Sequence, residues 1–322
     1  MSEPANHQQS TAPAIFIATA GAEKYRQLLA DELGAGLVTG TAESSAEVQH
    51  RYAGQPVVLG SPDLLVELLQ SSPPVHWVQS TWAGVAPLVR LNFRDYQLTG
   101  IKDIFGPQMS EYVFGCLLAH EIGLDRRRQA QQERRWDNTE SGTLAGRVLG
   151  IMGTGSIGRY LAVSARQFGM QVIGFNSRGV ALEPFAGIYT KTALKSFLER
   201  CDYLVAVLPD TPETDDLLDR EALACLKPGA VLVNVGRGNL LDEKALAQAL
   251  QERRLAAAVL DVFREEPLPP DSPLWGIPNL RITAHIAAVS RPRDIARLFA
   301  DNYRRFRQGE PLRHRVDFTR GY

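Results

Sequence analysis

Residues 148–179 read VLGIMGTGSIGRYLAVSARQFGMQVIGFNSRG, and the role of the glycines in GTGSIG (153–158) decides the fold. A GxGxxG pattern alone is weak, because Gly, Ser and Thr also cluster in ordinary turns. Here residues 148–152 form a short apolar run suited to a buried parallel strand, and from Ile157 onward Leu161, Val163, Ala165 and Phe168 are expected to cover one helical face. Between a strand and a helix the glycines acquire distinct duties. Gly153 permits the tight turn, Gly155 lets a pyrophosphate approach the backbone, and Gly158 lets the helix pack closely on the strand. The loop Gly153, Thr154, Gly155, Ser156, Ile157 and Gly158 is therefore a candidate dinucleotide site, with free amides and the positive end of a helix dipole facing the anion.

The rest of the chain supports an α/β reading. Short apolar runs at 14–18, 57–59 and 77–79 alternate with helical stretches at 23–33 and 63–69. A long helix is expected over 110–135, ending in the polar stretch WDNTESG. Alternation then resumes with strands at 148–152, 172–175, 203–208, 230–235, 256–262 and 281–283, and a last helix at 292–308. Six strands with crossovers imply a doubly wound, mostly parallel sheet that binds ligands at its carboxyl ends.

Composition narrows the class further. The 322 residues suffice for two domains, and 44% hydrophobic with 22% charged residues is ordinary for a soluble globular protein. A net charge of −1 offers no global attraction to nucleic acid or an anionic membrane, so neither is an expected partner. The basic run Arg126–Arg128, with Arg134 and Arg135, reads as a solvated or subunit-contact face. Cys116, Cys201 and Cys225 lack metal-ligand or redox spacing; free thiols and no bound metal are expected. Residues 1–13, MSEPANHQQSTAP, read as a polar tail without signal character, which suggests a cytoplasmic protein.

The end of the second strand bears on the cofactor. In a dinucleotide fold an acidic residue about 20 positions past the glycines usually bonds the ribose hydroxyls of NAD. Asn176, Ser177 and Arg178 stand here instead. A carboxylate would repel a 2′-phosphate, whereas Arg offers a permanently charged fork and Ser a donor. NADP is thus the expected cofactor, with NAD possible if Arg178 merely occupies an exposed loop and Asn176 bonds the ribose.

Three later strand ends carry Arg237 in NVGRGNLLDEKAL, Glu266 in DVFREEPLP and His285 in RITAHIAAVS. Singly, each is compatible with a structural role. Together at the mouth of one sheet they suit 2-keto acid reduction: Arg237 clamps the carboxylate and polarises the carbonyl, His285 donates the proton, and Glu266 orients the imidazole and favours its charged form.

GTGSIG, LPDTPET (208–214), NVGRGNLLDEKAL (234–246), DVFREEPLP (261–269) and AHIAA around His285 resemble the successive signatures of the D-isomer-specific 2-hydroxyacid dehydrogenase family. The resemblance implies Arg237, Glu266 and His285 as catalytic residues. It also implies that Leu208, Pro209 and Thr214 line the cofactor site and that Val235, Gly236 and Asp261 flank its nicotinamide side. WVQSTWAGV (77–85) resembles the family's substrate loop, implying carboxylate contacts from Ala83 and Gly84 and a side-chain border at Trp82. Within the family the motifs are most similar to the NADPH-dependent glyoxylate/hydroxypyruvate reductase branch. Two departures are Ala86, where many members have Asp, and Ala284, where Pro is usual.

The implied architecture is two Rossmann-like domains. A smaller flavodoxin-like substrate domain comprises residues 1–106 and 288–322, and a doubly wound, parallel-sheet cofactor domain of residues 107–287 is inserted into it. A homodimer through the cofactor domains is implied, with contact along the helix beginning at Ser110. Two alternatives are an NAD-linked dehydrogenase for bulkier branched or aromatic acids and a nucleotide-sensing corepressor of the same fold.

Overall fold

The computed structural model describes residues 12–71 and 74–319, so the tail expected at the amino terminus lies, for residues 1–11, outside the described residues. The chain divides into two compact units. The described residues up to Ile104, with those from Ser290 onward, form one, and Phe105–Val289 form the other. The inserted unit extends two residues beyond the expected segment at each end.

The first unit contains β1 (Ile15–Ala18), α1 (Ala22–Leu33), β2 (Val38–Ala42), α2 (Ser45–Arg51), β3 (Val57–Gly60), α3 (Pro62–Gln70), β4 (Trp77–Ser80), α4 (Ala86–Val89) and β5 (Gln97–Thr99). Its strands are parallel in the order β2-β1-β3-β4-β5, the flavodoxin-like arrangement. β1, β3 and β4 are buried on both faces and are legible as apolar or nearly apolar runs. β2, VTGTA, and β5, QLT, lie at the sheet edges and carry no such run, so only pairing makes them strands.

The second unit begins with α5 (Gly106–Glu121) and α6 (Leu124–Gln132) where one helix over 110–135 was expected. Gly123 adopts φ 62°, outside the right-handed helical region, and divides them. The helix also starts earlier than expected, because Pro107 fits a first turn that needs no amide donor. The basic run has an internal role: Arg126 pairs with Asp137 at 2.9 Å, and Arg127 donates to the carbonyls of Ile122, Asp137 and Thr139. These contacts brace the segment that leads towards the glycine strand.

That strand is β6 (Val148–Met152), followed by α7 (Ser156–Gln167), β7 (Gln171–Phe175), β8 (Ile188–Tyr189), α8 (Leu194–Leu198), β9 (Tyr203–Ala206), α9 (Arg220–Ala224), β10 (Val231–Asn234), α10 (Glu243–Gln251), β11 (Ala257–Leu260) and β12 (Leu280–Ile282). The seven parallel strands run β12-β11-β10-β9-β6-β7-β8, with β8 added to the six expected. This doubly wound order reverses at β6. Alternate residues face opposite layers: Leu149, Ile151, Val231 and Val233 pack with α5 and α7, whereas Met152, Leu204 and Leu232 pack with α8, α9 and α10. On α7 the buried residues are Gly158, Leu161, Ala162 and Ala165, a 3.6-residue stripe. Val163, expected on that stripe, faces solvent because it lies two positions from Leu161. Phe168 caps the helix and stacks on Phe114 at 4.9 Å.

The final helix, α11 (Pro292–Gln308), returns to the first unit. Pro292 opens it and Gly309, at φ 68°, closes it, which explains why its ends are legible in the sequence. Asn302 is fully buried there; its amide donates to Arg313 O at 3.1 Å and Gln79 Oε1 at 3.4 Å, and its oxygen accepts from Arg313 N at 2.8 Å. Gln79 in turn accepts from Thr99 Oγ1, which accepts from the Trp77 indole. This chain ties α11 to β4 and β5 without leaving a buried amide unpaired. Asn302→Ala should therefore lower stability by roughly 1–3 kcal/mol, measured by urea unfolding, and an unchanged midpoint would show that the network carries no net stabilisation.

Candidate active site

Two of the backbone roles expected of the glycine loop, the tight turn and the close helix packing, are visible in its geometry. Gly153 adopts φ 105°, and a Cβ there would meet Val207 O at 2.8 Å. At Gly158 a Cβ would lie 1.9 Å from Gly153 O, so only glycine lets α7 pack on the turn. Gly155 is different: it heads α7, and a Cβ would meet nothing within 4 Å. No internal crowding demands glycine there, whereas close approach of a phosphate to the backbone does. The residues present therefore fit a dinucleotide pyrophosphate.

At the end of β7, Asn176 shapes its own loop. Its side-chain oxygen accepts from the amides of Arg178 and Gly179 at 2.9 Å, and its amide donates to Thr154 Oγ1 at 2.7 Å. Both functional ends are thereby engaged, which binds the second strand to the glycine loop. Ser177 and Arg178 are exposed, and among the described residues the Arg178 guanidinium has no ion-pair partner. At the end of β9, the buried Thr214 hydroxyl donates to Pro209 O at 2.8 Å and closes the turn that begins at Leu208.

Arg237 follows β10 between two glycines that neighbouring backbone excludes from substitution. A Cβ at Gly236 would meet Leu208 O at 2.9 Å, and one at Gly238 would meet Phe263 C at 1.9 Å. The Arg237 loop thus lies directly between the loop after β9 and the loop after β11. Asn234 fixes it, donating to Arg237 O at 3.0 Å and accepting from Gly236 N at 3.1 Å. Val235 is buried and continues the strand pairing through its amide to Ala206 O.

Glu266 Oε2 lies 2.8 Å from His285 Nδ1, while Glu266 Oε1 accepts from Phe263 N at 3.0 Å. Burial raises the Glu266 carboxyl, but hydrogen bonds from His285 and Phe263 and the charges of His285 and Arg237 outweigh it and hold it below the ordinary glutamate value. With Nδ1 engaged, Nε2 is the ring nitrogen left to exchange a proton with a ligand.

His285 adopts φ 54°, a strained conformation for a non-glycine residue. Asp261 holds it. The Asp261 carbonyl accepts from His285 N at 2.8 Å, and its buried carboxylate accepts from Ile286 N and Ala287 N, both at 2.9 Å. Asp261, expected to flank the nicotinamide, is thus in this structure the anchor of the histidine turn. Sequence reading also passed over Arg264. Its guanidinium pairs with Asp215 and Asp216 and donates to Asn239 O and Leu241 O, clipping the Glu266 loop to the loops after β9 and β10. The local sequence carries no signal for these contacts, because the partners are brought together by three different strands.

Trp82, Ala83 and Gly84 belong to the other unit, where they follow β4. Ala83 and Gly84 are exposed and Trp82 is 49% exposed. Ser80 Oγ accepts from Trp82 N and donates to Trp82 O, giving this loop a fixed turn.

A doubly wound sheet with this glycine turn, an anion-ready helix start and an imidazole–carboxylate pair beside an arginine-bearing loop defines a nicotinamide-dependent oxidoreductase of the Rossmann class. Residues 114–287 match the family described as D-isomer specific 2-hydroxyacid dehydrogenase, NAD binding domain. The chain belongs to that family and is an NAD(P)-dependent 2-hydroxyacid dehydrogenase. It is 35% identical over 243 residues, 74% of each chain, to the glyoxylate/hydroxypyruvate reductase A of Serratia proteamaculans. A crystal structure of a D-isomer specific 2-hydroxyacid dehydrogenase family protein from Aeromonas salmonicida is similar with a TM-score of 0.88 and 41% identity, over 96% of this chain and all of that one. A D-isomer specific 2-hydroxyacid dehydrogenase from Xanthobacter autotrophicus, in complex with NADPH and MES, is similar with a TM-score of 0.84 and 31% identity, over 97% of this chain and all of that one.

Because the folded Glu266 carboxyl lies below the ordinary 4.5, its stabilising contribution is present above pH 4.5 and is lost as pH falls through the lower folded value. Glu266→Gln should therefore lower the urea midpoint relative to wild type at pH 7. The gap should close as the pH drops below that range, and a gap independent of pH would overturn the assignment.

Proposed function

We propose that the chain reduces small 2-keto acids of the glyoxylate and hydroxypyruvate type to D-2-hydroxy acids, with NADPH preferred over NADH. The observation that carries the reading is the Glu266–His285 pair at 2.8 Å, at the carboxyl ends of the same sheet that bears Arg237 and the glycine loop. A bound reduced nicotinamide supplies the hydride. His285 Nε2 donates the proton to the carbonyl oxygen as negative charge develops on it, and Glu266 orients the ring and offsets the imidazolium charge. Arg237 holds the substrate carboxylate and stabilises the forming alkoxide. The exposed loop after β4 that carries Trp82, Ala83 and Gly84 is proposed as a substrate-contacting loop, as the family resemblance implies.

Small-acid selectivity is supported by the relative's name, and the preference for NADPH by the NADPH complex of the Xanthobacter protein together with the exposed Arg178 after β7. In the same reading Ser177 joins Arg178 at the 2′-phosphate. Leu208, Pro209, Thr214, Val235, Gly236 and Asp261 form or shape the walls of the cofactor site.

The enzyme is further proposed to act as a homodimer through this unit, supported by exposed Leu118, Ile122 and Leu124 and by Trp136, which is 91% exposed on the braced segment after α6. Among the described residues the three cysteines are unpaired, which supports the proposal of a reducing, cytoplasmic setting. No described helix is long and apolar enough to cross a membrane, and no group of described His, Cys, Asp and Glu residues is arranged to hold a metal.

The reading is tested by following nicotinamide absorbance with NADPH and NADH against glyoxylate, hydroxypyruvate, pyruvate, a branched keto acid and phenylpyruvate. Fast NADPH oxidation with glyoxylate and hydroxypyruvate is expected, and a preference for the bulky acids would overturn the substrate assignment. His285→Ala should lower kcat by about 100-fold or more while leaving NADPH affinity nearly unchanged. Arg178→Ala should raise KM for NADPH about 10-fold or more with little change for NADH, and equal losses would remove the phosphate role.

A further inference from the structure

The His285 turn depends on Asp261, and Asp261 is itself held by two hydroxyls to which the sequence motifs assign no role. Thr283, at the end of β12, donates through Oγ1 to Asp261 Oδ1 at 2.5 Å. Tyr112, on α5 far away in sequence, lies with its hydroxyl 2.6 Å from the same Thr283 Oγ1. Chemistry fixes the direction of this chain. A carboxylate only accepts, so the single threonine hydrogen points to Asp261, and Tyr112 must supply the hydrogen of the outer bond. Burial raises the Tyr112 phenol well above its ordinary range, which keeps it a donor across the working pH.

We infer that Tyr112 and Thr283 are positioning residues for proton transfer, holding the Asp261 carboxylate in the one orientation that receives both Ile286 N and Ala287 N and so maintains His285 in its left-handed turn. The inference rests on the reading of His285 as the proton donor. Without the two hydroxyls, the Asp261 carboxylate keeps its amide contacts but gains rotational freedom about its side-chain torsions. The strained turn then loses part of what over-determines it. An imidazole displaced by a fraction of an ångström still binds Glu266, yet meets the carbonyl oxygen in the wrong place.

The test uses the full chain carrying Tyr112→Phe, Thr283→Val, Thr283→Ser and, separately, His285→Ala. Each is assayed with NADPH and whichever acid of the panel wild type reduces fastest, with NADPH affinity measured by nucleotide fluorescence and Tm recorded. Thr283→Val should lower kcat about 10-fold to 100-fold, the scale of a misplaced catalytic group, with KM and NADPH affinity within about twofold of wild type. Thr283→Ser, which keeps the hydroxyl, should restore kcat to within about threefold, and Tyr112→Phe should fall between them. The pH dependence of kcat should shift in Thr283→Val and return in Thr283→Ser.

The inference is overturned if Thr283→Val and Tyr112→Phe retain wild-type kcat and pH profile while His285→Ala is inactive. It is equally overturned if kcat falls only in step with Tm and NADPH affinity and serine does not rescue it. Should His285→Ala retain turnover, or wild type reduce none of the acids, the underlying reading fails and takes the inference with it.

Discussion

No side chain fits at Gly238, because a Cβ there would lie 1.9 Å from the Phe263 carbonyl carbon. The loop carrying Arg237 consequently rests backbone to backbone on the loop carrying Glu266. The same constraint acts one strand over, where Gly236 lies against Leu208. Three adjacent strand ends are thereby drawn together, with the arginine between them. A parallel sheet makes this possible, since all its strands deliver their carboxyl ends to one edge.

Electrostatics then assign duties within the cluster. Glu266 takes one donor from Phe263 N and one from His285, so its charge is satisfied locally and its imidazole is oriented. Asp261, two strands from the glycine turn's neighbour β9, takes the amides of the histidine turn instead. The two carboxylates divide the work: one faces the ring of His285, the other its backbone. Arg264 and the Asn234 side chain are the polar clips that hold these loops at their observed spacing.

Much of this was legible in the chain. The strand–glycine–helix unit at 148–167 declares itself because three local signals coincide: an apolar run, a GxGxxG turn and a 3.6-residue stripe. α11 is legible to the residue because Pro292 and Gly309 punctuate it. Edge strands β2, β5 and β8 are not legible, since β2 and β5 lack an apolar run, β8 is only two residues long, and all owe their conformation to a neighbour. The division of α5 from α6 was missed because a single Gly in a polar, helix-forming stretch costs only about 1 kcal/mol and does not compel a break. Val163 is apolar yet exposed, because its angular position on α7, two residues from Leu161, and not its side chain decides its burial.

Local patterns in the chain are enough to set the kind of chemistry open to it. Glycine spacing, the absence of a carboxylate after β7, and the order of the Arg, Glu and His motifs are local properties, and each constrains what a strand end can bind. Which groups hold the Arg237, Glu266 and His285 loops follows from packing across the sheet. Asp261, Thr283, Tyr112 and Arg264 act through partners from other strands and helices, and a one-dimensional pattern contains no term for that proximity. Their roles arise when a parallel sheet levels its strand ends and leaves a buried carboxylate with three hydrogen-bond donors to accept.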